Sequence, residues 1–98
     1  MTINKKVDGS KLTVALEGRL DTTTAPELEN ELNASYDGVT ELEFDFAELD
    51  YISSAGLRVL LAAQKKMNKQ GKMVVHNSKK DILGIFEVTG FSDILTIE

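Results

Sequence analysis

The chain is 98 residues long, 42% hydrophobic, with a formal net charge of −5 and no cysteine. That is enough apolar material for the core of one ordinary domain, and it excludes a disordered chain. The acidic balance argues against nucleic acid as a partner, the lack of cysteine excludes disulfides and thiolate metal sites and fits a cytoplasmic protein, and neither a membrane span nor a signal peptide is expected.

The first predicted element is a hairpin. Ile3 and Val7 flank one strand, Asp8-Gly9 supplies the turn, and Leu12, Val14 and Leu16 alternate with Lys11, Thr13 and Glu17 in the next. Thr24-x-x-Glu27 reads as a capping box, with Pro26 inside the first turn of a helix that turns Leu28 and Leu32 inward and ends near residues 35–38. A strand follows in which Leu42, Phe44 and Phe46 alternate with Glu41, Glu43 and Asp45. One dry and one wet face predicts helices packed mainly on one side of the sheet.

Residues 49–61 pass from an apolar, β-prone approach through Ser53, Ser54, Ala55 and Gly56 into an amphipathic helix. Over 57–67 that helix places Leu57, Leu60 and Leu61 inward and Arg58, Ala62, Lys65 and Lys69 outward. Lys65, Lys66, Lys69 and Lys72 gather into a basic patch late in the helix, a solvated end that complements the macrodipole. Gly71 ends it as a glycine stop. Met73, Val74 and Val75 form a strand, and Ser78-x-x-Asp81 caps a short helix carrying Ile82, Ile85 and Phe86. Gly90 stops this helix with Phe91 placed for an apolar contact, and Ile94, Leu95 and Ile97 make a last short strand. The order β-β-α-β-α-β-α-β predicts a single α/β domain over residues 1–98 with a mixed sheet.

Ser53 and Ser54 therefore stand at a helix N-terminus, where unpaired N–H groups and the macrodipole favour negative charge. A serine there caps the helix or carries a phosphate at little structural cost. Hydrolysis is poorly supported, because His76 is the single histidine and neither serine sits in a Gly-x-Ser-x-Gly elbow. The chain has no Gly-x-x-x-x-Gly-Lys-Ser/Thr loop to cradle a nucleotide. Asp21 closes the second strand or caps the approaching helix, and its loop and residues 50–54 are expected to be neighbours at the carboxyl ends of parallel strands.

Tyr-Ile-Ser-Ser-Ala-Gly-Leu-Arg at 51–58 resembles the phosphorylation-site loop of the STAS domain family of bacterial anti-sigma factor antagonists. That loop usually reads aromatic or apolar, apolar, Asp, Ser, Ser or Thr, Gly, Leu. The run Glu17-Gly18-Arg19-Leu20-Asp21-Thr22-Thr23-Thr24-Ala25 is similar to their Gly-x-Leu/Ile-Asp-x-x-x-Ala segment. Ile85-Phe86-Glu87-Val88-Thr89-Gly90-Phe91 resembles their Leu-Phe-x-x-x-Gly-Leu ending. The matches stand in family order and cover essentially the whole chain. Ser53 occupies the place of the family aspartate, and Ala55 that of the hydroxyl after the acceptor.

Aligned through Gly56-Leu57, the resemblance makes Ser54 the phosphoacceptor, with Ser53 its rival. It sets Asp21, Thr22, Ser53, Ala55, Gly56 and Arg58 at the partner-binding end. It implies a STAS-like domain that is a switch and not an enzyme, without cofactor or metal. Such a switch binds an anti-sigma factor with serine kinase activity while unphosphorylated and lets go when phosphorylated. The partner supplies ATP and Mg²⁺, and a serine phosphatase resets the chain. A second reading keeps the STAS fold as a scaffold or transport-regulating subunit in which Ser54 stays unmodified.

Overall fold

In a computed structural model that describes residues 1–98, alternation of apolar and polar side chains builds the expected hairpin. Strands β1 (Thr2–Asp8) and β2 (Lys11–Leu20) pair antiparallel across a two-residue turn. Helix α1 (Ala25–Asn33) then crosses over to β3 (Glu41–Ile52), and α2 (Ser54–Gln70) crosses to β4 (Lys72–His76). Both crossovers make parallel pairs, and the sheet order is β1-β2-β3-β4. Helix α3 (Lys80–Val88) and a 3₁₀ turn (Phe91–Asp93) follow.

Leu12, Val14, Leu16, Leu42, Phe44 and Phe46 point into one cluster with Leu28, Leu32, Leu60, Met67, Ile82 and Phe86, so all three helices cover the same face of the sheet. The other face is wet. There Lys11 pairs with Glu43 at 3.2 Å, Lys72 with Glu41 at 3.4 Å, and His76 Nε2 lies 3.6 Å from Glu43.

Five local expectations are corrected. The Thr24-x-x-Glu27 box is not formed: Thr24 has helical dihedrals (φ −95, ψ −20) and makes no side-chain cap bond. A side chain caps by reaching forward from extended backbone; here the nearby Asp21 Oδ1 instead accepts from the Thr23 and Thr24 N–H groups just ahead of the helix. The Ser78-x-x-Asp81 box is also absent, because α3 starts at Lys80 behind an extended Lys79 that offers no cap. Gly71 is not a left-handed stop; its φ is 171, and a Cβ there would lie 1.8 Å from the Thr40 carbonyl oxygen. Glycine is required by close passage of two backbones, a contact that includes Lys72 N–H donating to Thr40 O at 3.0 Å.

Lys72 accordingly belongs to β4, which leaves Lys65, Lys66 and Lys69 as the basic side of α2. The fifth correction concerns the last strand. The Leu95 N–H is still committed to Phe91 O at 2.8 Å, so the chain only reaches the sheet beyond it. Ile97 makes one isolated bridge to Val75, Ile94 stays exposed, and the sheet has four strands.

Candidate functional site at the carboxyl ends of β2 and β3

Because β2 and β3 run parallel, their carboxyl ends emerge together, the place where α/β sheets gather sites. Leu20 pairs with Ile52, and Ser53 N–H donates to Leu20 O at 2.9 Å, so the Asp21 and Ser53 loops are physically joined. Two irregularities in β3 prepare this end. Ala15 pairs with Asp45 but Glu17 with Glu48, and Gly18 pairs with Leu49 but Arg19 with Tyr51, so β3 holds an extra residue at each step. Bulges of this kind re-aim side chains beside sites. The second one turns Asp50 outward, where its carboxylate accepts from Lys79 Nζ at the start of α3. That contact raises the Lys79 pKa.

Asp21 organises the first loop. Its Oδ1 accepts from Thr23 N–H at 3.0 Å and Thr24 N–H at 3.1 Å, while its own N–H donates to Thr24 Oγ1 at 2.8 Å. The Thr24 N–H foremost, with Thr23 N–H, the Thr24 hydroxyl and Arg19, outweighs desolvation and holds the carboxyl below its ordinary 3.8. Thr22 is exposed at the crest of the turn.

The two serines of the second loop have different jobs. Ser53 is the cap of α2, with extended backbone (φ −97, ψ 176) and a side chain that accepts from Gly56 N–H at a long 3.4 Å. Ser54 is the first residue of α2 and is exposed, with no side-chain hydrogen bond. Its hydroxyl therefore lies open at the positive end of a 17-residue helix. Ala55 packs partly against the core, and Arg58 is exposed one turn along. Gly56 is buried. A Cβ on it would sit 2.7 Å from Leu20 Cγ and 2.8 Å from Ile52 Cγ1, so its missing side chain seats the helix start directly on the ends of β2 and β3. The close seat of Gly56 thus fixes where the two serines stand.

Two residues join this end that spacing did not single out. The Arg19 guanidinium stacks 4.1 Å above the Tyr51 ring and lies 3.8 Å from Asp21 Oδ2. Both side chains are outward neighbours of buried Leu20 and Ile52, and only the β2–β3 register, bulge included, makes them a pair. His76 sits opposite Asp45 on the wet face, away from both serine positions in the register.

A family model described as the STAS domain matches residues 2–98. The Bordetella bronchiseptica protein BtrV is 39% identical over 94 residues, covering 94% of this chain and 80% of its own. The anti-sigma-B factor antagonist of Listeria monocytogenes is 30% identical over 97 residues, covering 96% of this chain and 84% of that one. Among solved structures, the anti-sigma factor antagonist SpoIIAA is similar in its unphosphorylated form, with TM-score 0.79 at 16% identity over 99% of this chain and 87% of that one. Its Bacillus phosphorylated form is similar with TM-score 0.78 at the same identity, over 99% and 91%.

Proposed function

The chain belongs to the STAS domain family, and on that premise we propose that it is an anti-sigma factor antagonist switched by phosphorylation of Ser54. Unphosphorylated, it binds an anti-sigma factor through the end of the sheet formed by Asp21, Thr22, Ser53, Ser54, Ala55 and Arg58. The partner is also the serine kinase and brings ATP and Mg²⁺. A phosphatase restores the hydroxyl. The chain acts in the cytoplasm and catalyses nothing itself.

One observation carries the choice of acceptor: Ser53 is engaged as the helix cap while Ser54, next to it, is exposed and unengaged. A phosphate on Ser54 adds about −1.5 to −2 charge. The helix N-terminus accommodates it with roughly 0.3–1 kcal/mol of favourable interaction. The partner meets new bulk and charge beside Asp21, and a loss of only ~2.7 kcal/mol across the contact weakens binding about a hundredfold. No rearrangement of the fold is needed.

The test is phosphate incorporation by the cognate kinase, mapped by mass spectrometry. Ser54→Ala is expected to end incorporation and keep partner binding, since it removes the acceptor without adding charge. Ser54→Asp weakens binding, though less than phosphate does. Label found on Ser53, with Ser54→Ala still modified, overturns the assignment.

A further inference from the structure

Helix α3 buries Ile82 and Phe86 and turns its opposite side to solvent, with Gly84 in the middle of that side. At about 100° per residue, Lys80 and Glu87 run along one flank of Gly84, and Asp81 and Val88 along the other. Val88 is 89% exposed. Lys80, Asp81, Gly84, Ile85, Val88 and Thr89 line an apolar groove of about 610 Å³.

The glycine has no reason inside the fold. A Cβ built at Gly84 meets no atom within 4 Å. Glycine in a helix interior weakens the helix relative to alanine, so this position gives up stability without relieving any internal contact. What the missing Cβ does allow is close approach of another backbone from outside.

We propose that this face of α3 docks a second copy of the same chain, two α3 helices lying antiparallel about a two-fold axis at Gly84. The charges select that occupant. Positions 80 and 87 share a flank and lie at nearly equal distances from Gly84, so the axis sets each Lys80 against the other copy's Glu87, twice over. On the other flank the same axis brings each Val88 against the other copy's Asp81. The doubled Lys80–Glu87 pair is the self-complementarity that an isologous contact requires. A nine-residue helix spans only ~13 Å, so the area is far below the ~800 Å² per partner of standard interfaces, and the dimer is weak. The inference rests on α3 alone and holds whether or not Ser54 is modified.

Sedimentation equilibrium of the whole chain between about 10 μM and about 1 mM tests it. The expected result is a monomer at the low end and a rising dimer fraction at the high end. Gly84→Leu should remove the dimer while leaving the thermal melt no lower than wild type, since the position is open. K80E and E87K should each weaken association at least several-fold, and the K80E/E87K double variant should restore it. A wild-type chain that stays monomeric to about 1 mM overturns the proposal and leaves the face to a different protein. So does a dimer indifferent to Gly84→Leu, or one that the double variant fails to restore.

Discussion

Asp21 and Ser53 both serve backbone N–H groups at one end of the sheet, and only one of them titrates. The Asp21 carboxyl is held below its ordinary value chiefly by the Thr24 and Thr23 N–H donors. A lowered carboxyl pKa contributes stability that is complete above the unfolded value and is lost as pH falls through the folded one. Asp21→Asn keeps an oxygen for the same donors but no longer titrates. Melting temperatures of the two proteins should therefore differ most above about pH 5 and converge as pH falls below about 4. Parallel curves down to pH 2 would show that the carboxylate charge does not matter to the loop. The Ser53–Ser54 step was legible as a helix start from its flanking pattern and the family likeness, and the structure separates the two by engaging one of them. Arg19 over Tyr51 was not legible, because two outward side chains become a pair only once a bulged register is known.

At the scale of elements, hydrophobic period carried most of the fold and failed where backbone contacts decide. The inward residues of β3 are 42, 44, 46, 49 and 52, a period of two that becomes three at each bulge. Alternation thus revealed β3 only as far as Phe46, and the approach to the serines is the rest of the same strand. Ile94, Leu95 and Ile97 had the composition of a strand, yet the turn at Phe91 holds the backbone out of the ladder until Thr96. The two capping boxes were sound local chemistry overridden by where the chain enters each helix. Gly71 shows the same limit, since nothing near it in sequence announces Thr40. Gly71→Ala should cost about 1–3 kcal/mol, as overpacking does. That corresponds to a fall of at least 4 °C in melting temperature, at about 4–8 °C per kcal/mol. A variant melting within a degree of wild type would mean that Gly71 and Thr40 separate freely.

For the molecule as a whole, the proposed switch requires a fold that ignores its own modification. Phosphorylated and unmodified chain should melt within about 5 °C of each other, the scale set by ~1 kcal/mol in a domain this size. A drop of ten degrees or more would show the phosphate disrupting α2. The strand order of the sheet, identical to the order of synthesis, has a consequence for how the molecule comes into being. A nascent chain emerges amino end first at ~5–20 residues per second. Each new strand here finds its docking edge already made by the one before it, and none has to be inserted between earlier pairs. Every residue of the serine-bearing end, from Arg19 to Arg58, leaves the ribosome before β4 does, so that end of the molecule can take shape on a sheet that is still growing.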